Sequence, residues 1–242
     1  MNSFDKNLSD TQEYGVVSET RHPLVVASGI PDAALDEVVV FENESRGYIT
    51  GLHESQAEIS LLSHEPAQPG MKLTRTGRRL EIPVGDNQRG ETLTPLGELL
   101  ESSRKNQSEE ELRLVDVQPP HIAHRAPIAD QFLTGLGVVD LLVPLAAGQR
   151  EAVIGDQKTG KTSFLLAAAK AHAERGGMVV YAAIGRPWSE IRRISDFLKN
   201  DMPAENAILV ASGAKDVASL VTITPYSAMT IAEYWRDKGA DV

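Results

Sequence analysis

Short apolar runs recur between turn residues from about Pro23 to Val84, at positions 37–41, 47–52, 57–62 and 79–84. In the last of these Leu80, Ile82 and Val84 alternate with Arg79, Glu81 and Pro83. That is the period of a strand with one face buried. Strands this short, at this spacing, predict a small β-barrel or sandwich over 21–100, preceded by a flexible leader over 1–20. From 101 to 124 the chain turns polar, with Ser102-Ser103, Glu109-Glu110-Glu111 and Pro119-Pro120. This composition reads as a linker.

Beyond it the pattern changes to strands alternating with helices. Strands are expected at 151–155, 178–184 and 207–211, and helices at 161–175, 189–199 and 228–238. Such alternation predicts a mostly parallel sheet with right-handed crossovers over 125–242. Ala240-Asp241-Val242 reads as the start of a further strand. The chain is therefore expected to be a fragment whose α/β domain is truncated at its C-terminal end.

Residues 155–162 read G-D-Q-K-T-G-K-T, a full match to the phosphate-binding loop. The match lies between the apolar Ala152-Val153-Ile154 and a helix-prone stretch, the order of strand, loop and helix that the chemistry needs. Glycines let the backbone wrap a polyphosphate with its N–H groups, and the helix N-terminus adds positive potential. Gly155, Asp156, Gln157, Lys158, Thr159, Gly160, Lys161 and Thr162 are the candidate nucleotide-binding residues. Lys161 is suited to the β- and γ-phosphates, and the Thr162 hydroxyl to Mg²⁺. The expected ligand is Mg-ATP.

The rest of the composition narrows the reading. A formal charge of −10 weighs against a general nucleic-acid binder, which needs a basic surface. With no cysteine there is neither a disulfide framework nor a thiol nucleophile. His121 and His124 lie close together in the Pro-rich linker without a third ligand nearby, and read as a solvated turn. The run Arg75 to Arg79 reads as a solvated hairpin edge. No stretch approaches membrane-spanning length.

The motifs together resemble the α subunits of the rotary F-type ATP synthases. The resemblance covers about 13–242, and its anchors are T-G-L-G-V-V-D at 134–140, G-Q-R-E at 148–151 and the loop itself. Further along come A-A-I-G at 182–185, T-P-Y-S at 224–227 and E-Y-W-R-D at 233–237. Asp156 and the Pro-Tyr-Ser segment are similar to α rather than to the sister β subunit. The resemblance implies an N-terminal β-barrel followed by a RecA-like P-loop domain. It also implies partners: β subunits alternating with α in a hexameric ring, and central and peripheral stalk subunits. Contact with the membrane would come only through that complex, on the cytoplasmic face of the bacterial inner membrane. The coupling ion, proton or sodium, is left open.

One departure bears on catalysis. Hydrolysis needs a carboxylate to orient water. The catalytic β subunits carry a glutamate directly after the glycine corresponding to Gly185, and the α subunits carry glutamine there. This chain has Arg186, a permanent cation that cannot act as a base. Glu190, one helical turn on, reads as a solvated helix residue. Inside the loop, Gln157 and Lys158 replace the usual arginine and glutamine. No catalytic residue is therefore expected, and the chain alone should turn nothing over within a complex that makes ATP. Two other functions compete: a self-sufficient ring ATPase such as a Rho-like RNA translocase, and a truncated structural paralogue without turnover.

Overall fold

The computed structural model describes residues 2–100 and 111–242. Helix α1 (Ser3–Thr11) leads into six strands: β1 (Tyr14–Arg21), β2 (Leu24–Ser28), β3 (Glu37–Phe41), β4 (Arg46–Leu52), β5 (Gln56–Leu61) and β6 (Lys72–Arg79). They form a closed antiparallel barrel in the order β1-β2-β5-β4-β3-β6, with β6 returning to β1. Closure leaves no edge unpaired. Alternate side chains point inward, so Val25, Ala27, Ile59 and Leu61 meet Val39, Phe41, Ile49 and Leu73 in one buried cluster.

One charged group is built into this barrel. Arg75 on β6 places Nη1 2.7 Å from Glu13 Oε2, and Nε 3.0 and 3.1 Å from the two oxygens of Glu37. The Glu37 residue is only 2% exposed. Its carboxylate also accepts from the Gly77 and Ala34 amides at 2.8 and 3.0 Å. Burial disfavours the Arg75 cation, yet the two carboxylates hold its pKa above the ordinary value.

The chain continues through β7 (Glu81–Val84), β8 (Thr92–Leu93), β9 (Glu111–Leu114), β10 (Gln131–Phe132), α2 (Gly137–Leu142) and β11 (Leu145–Ala146). There follow α3 (Lys161–Ala173), β12 (Val179–Arg186), α4 (Trp188–Asn200), β13 (Ala207–Gly213) and α5 (Ala218–Asp237). Strands β12, β13 and β8 form a parallel sheet with β13 in the middle, while β7–β9 and β10–β11 are antiparallel pairs. Every residue of β13 is buried, as expected of a strand covered on both faces. Ile208 and Val210 pack with Ile231 and Trp235 of α5. Leu209 and Ala211 pack with Leu166 of α3 and Ile191, Ile194 and Leu198 of α4. The 191/194/198 spacing is the apolar stripe of a surface helix.

The expected barrel followed by an α/β sheet is therefore present, with several local corrections. The leader expected over 1–20 carries α1 and most of β1. Phe4 is buried, and the Ser3 and Phe4 amides donate to the Glu44 carboxylate at 3.0 and 3.1 Å. The barrel strands end at Arg79, and β8 pairs with β13, so part of 21–100 belongs to the second sheet system. Of the linker expected over 101–124, residues 101–110 lie outside the described residues, and 111–114 form β9 against β7. The Arg75–Arg79 run lies in strand β6, where Gly77, Arg78 and Arg79 are exposed as expected of a solvated edge while Arg75 is half-buried.

Helix α5 begins ten residues before the expected start and runs through Pro225. Burial of Ile223, Thr224 and Ser227 on the sheet outweighs the lost amide donor. The strand expected at 151–155 does not form, and Ile154 is 91% exposed. A parallel strand needs a neighbour, and among the described residues β12 pairs only with β13.

Removing one member of the Arg75 network leaves buried charge without compensation. Arg75→Met is expected to cost about 3 kcal/mol in urea unfolding. Removing the half-exposed Asp36–Arg79 pair with Asp36→Asn should cost under about 1 kcal/mol. Equal losses for the two variants would refute the distinction.

Candidate functional site

The loop at 155–162 owes its shape to two residues with left-handed backbone. Lys158 has φ 62° and Gly160 φ 92°. Such positions turn successive N–H groups to one side, the arrangement that makes an anion-binding concavity. Gly160 is the N-cap of α3, and no side chain caps the helix there. Loop-internal bonds complete the shape. Thr159 Oγ1 donates to the Asp156 carbonyl at 2.8 Å, and Lys161 Nζ donates to the Gly155 carbonyl at 2.6 Å and also to that of Asp156. Residues 155–160 are exposed, while Lys161 and Thr162 are half-buried at the start of α3.

Gln157 to Thr162 line an open cleft of about 720 Å³. Gly155 and Asp156 lie outside its lining and supply the carbonyls that hold Lys161. Across the cleft stand Arg186, Ser189, Glu190 and Arg193. Lys158, Lys161, Arg186 and Arg193 thus face one carboxylate, in a chain whose formal charge is −10. An excess of cations this local favours an anionic ligand. Arg193 and Ser189 were not singled out by sequence reasoning. The available signal was spacing, since 190/193 and 189/193 are three and four apart and fall on one side of α4. Glu190, expected to be a solvated helix residue, instead lines the cleft and pairs with Arg186 at 3.9 Å.

Arg186 is placed by its backbone. Gly185 has φ +60°, which a side chain adopts only with strain, and the pairing of β12 with β13 shifts register between Ala183 and Arg186. The Gly185 amide donates to Ser212 Oγ at 3.1 Å, and the Ala214 amide donates to the Arg186 carbonyl at 2.9 Å. Thr224 Oγ1 lies 2.7 Å from the Leu220 carbonyl and 2.9 Å from Ser212 Oγ. Two hydroxyls from β13 and α5 therefore fix the corner from which Arg186 enters the cleft.

The segment T-G-L-G-V-V-D closes on itself through Asp140. One carboxylate oxygen accepts from the Thr134 amide and hydroxyl at 2.8 and 2.7 Å, and the other accepts from the Gly135 amide at 3.1 Å. The Thr134 hydroxyl, then the two amides and the Arg175 charge, hold this carboxyl below its ordinary range. Arg175, just past α3, also donates to the Leu133 carbonyl. The Phe132 ring lies 5.4 Å from that of His172 on α3. The segment is thereby docked on the helix that the loop begins.

An antiparallel barrel joined to a parallel α/β sheet, with a phosphate-loop sequence opening a helix, defines a nucleotide-binding class of protein. Residues 135–242 match the model of the ATP synthase alpha/beta family, nucleotide-binding domain. Similarity extends beyond this domain. The chain is 34% identical to ATP synthase subunit alpha of Lawsonia intracellularis over 231 residues, which is 95% of this chain and 46% of the relative. It is 31% identical to ATP synthase subunit alpha 1 of Pseudoalteromonas atlantica over 96% of this chain and 44% of that one. With ATP synthase subunit alpha of Bifidobacterium longum the identity is 30% over the whole chain and 46% of the relative. The chain thus spans about half the length of these curated relatives. Among the described residues no helix is long and apolar enough to cross a membrane.

The Asp140 turn gives a direct test. A depressed carboxyl stabilises the turn above the ordinary carboxylate range, and the contribution disappears as pH falls through its folded value. Asp140→Ala is expected to lower the hydrogen-exchange protection of the Thr134 and Gly135 amides about tenfold at neutral pH. In the wild type the same protection should fall below about pH 4. Unchanged protection would show that the carboxylate does not hold the turn.

Proposed function

We propose that the chain is a non-catalytic nucleotide-binding α-type subunit of a rotary F-type ATP synthase. Gly155, Asp156, Gln157, Lys158, Thr159, Gly160, Lys161 and Thr162 form the nucleotide site of a P-loop domain that follows the barrel. The donor set fits a polyphosphate: an uncapped helix start, a loop with two left-handed residues, and four cations around one cleft. Thr162 is the residue that would hold Mg²⁺, which when bound supplies charge neutralisation of the phosphates. Lys161 would leave the Gly155 carbonyl for the phosphates.

The observation that carries the non-catalytic role is Arg186. It lines the cleft at the position where, by the resemblance, the catalytic subunits carry the glutamate that hydrolysis uses, and the one carboxylate lining the cleft, Glu190, is paired with it. Its partners would be the catalytic β subunits in an alternating ring, with central and peripheral stalk subunits. It would contribute to ATP synthesis coupled to proton or sodium movement, at the soluble head on the cytoplasmic face of the membrane.

Equilibrium titration with Mg-ATP tests this reading. Lys161→Ala is expected to weaken binding at least about tenfold, the loss of one or two charge-assisted bonds. The isolated wild-type chain should show no steady turnover. ATPase activity that Glu190→Gln abolishes would overturn the non-catalytic assignment.

A further inference from the structure

A second cavity lies away from the loop, at the seam between the barrel and α5. It measures about 180 Å³ and shares no lining residue with the cleft at the loop. A cavity of about 150 Å³ takes a molecule the size of benzene, so this one has room for a single substituted ring. Backbone bonds fix its frame. The Leu80 amide donates to the Asp36 carbonyl and the Leu80 carbonyl accepts from the Val115 amide, each at 3.0 Å, while the Asp36 amide donates to the Ile49 carbonyl at 2.9 Å. Thr222, Ile223 and Tyr226 of α5 supply another wall, and α5 is tied to the barrel where Ser219 Oγ donates to the Leu61 carbonyl. The space is thus preformed, which spares a ligand the cost of ordering its walls.

We propose that this cavity binds a small planar organic cation, one aromatic ring carrying an amidinium or ammonium group. Leu80, Leu114, Ile223 and the rings of Tyr48 and Tyr226 give it apolar and aromatic surface. Its charged lining is Asp36, Asp116 and Arg79. Arg79 Nη2 lies 2.8 Å from Asp36 Oδ2, so this pair offsets itself and leaves the Asp116 carboxylate as the net charge of the lining. Tyr48 shows the sign of the local field, since burial, then the Asp36 carboxylate and Tyr226, hold its phenol above the ordinary range. A field that disfavours a phenolate favours a cation. Tyrosine rings attract cations through their negative faces, and a carboxylate offers an amidinium two acceptors at once.

The test is calorimetric titration of the chain with benzamidine, benzamide and benzoate, which differ in charge and little in shape. Benzamidine is expected to bind at least about tenfold more tightly than benzamide, and benzoate more weakly still. Asp116→Asn should cut the preference for benzamidine over benzamide to less than about threefold. Thr222→Phe, at an exposed position on the cavity wall, should fill the space and abolish benzamidine binding. No benzamidine binding at millimolar concentration would overturn the inference. So would benzamide or benzoate binding as tightly as benzamidine. A benzamidine affinity that both substitutions leave unchanged would place the ligand elsewhere on the chain and overturn it too. Circular-dichroism melting checks that these exposed substitutions leave the fold intact.

Discussion

Strand β13 must satisfy its backbone on both edges and its side chains on both faces, because all seven of its residues are buried. Its amides and carbonyls have no access to water, so β12 and β8 are required as partners. The requirement draws in chain from distant places. β8 follows the barrel's last strand by way of β7, and its pairing with β13 ties the two parts of the molecule together. The faces impose a second demand, since Ile208 and Val210 need α5 while Leu209 and Ala211 need α3 and α4. Each of those helices then brings a functional group with it. The loop stands at the start of α3, Arg186 stands just ahead of α4, and Thr224 of α5 braces the Ser212 hydroxyl beneath Gly185.

The cleft therefore follows from the packing of the sheet. Its walls are the two helix starts at the C-terminal side of the parallel strands, where α/β sheets generally bind ligands. Position alone does not set the chemistry. A carboxylate can take a proton from an attacking water, whereas an arginine in the cleft offers only positive charge.

Much of this was legible in the residues. β3 has its expected bounds, and β12 and β13 start within one residue of theirs. The misses share a cause: local composition cannot report tertiary partners. A run with three arginines reads as solvated until Glu13 and Glu37 are known to surround Arg75. The helix expected at 228–238 starts instead at Ala218 and runs through Pro225, with the flanking Thr224 and Ser227 fully buried. The polar first turn of the chain reads as a leader although Glu44, forty residues away, caps it. Conversely, Ala152-Val153-Ile154 has strand composition and forms no strand, because composition supplies no neighbour to pair with. Glu190 was legible as a helix residue, but its facing of the loop across the cleft is a property of the packed sheet.

Two arginines show how such placement decides a role. Arg75 meets two carboxylates at 2.7 to 3.1 Å, with its side chain only 15% exposed. Every strong donor direction toward them is used, and a third anion would have to displace a buried partner at the cost of leaving charge uncompensated. Arg186 meets one carboxylate at 3.9 Å, more than half exposed, beside three other cations. Separating that pair costs little, because solvent already screens it. Gaining a phosphate satisfies Arg186 and relieves the repulsion among its cationic neighbours at once. The first arginine is a structural counter-ion, and the second keeps more than half of its side chain in solvent. The difference lies in how many carboxylates the fold brings to each and how much water it leaves between them.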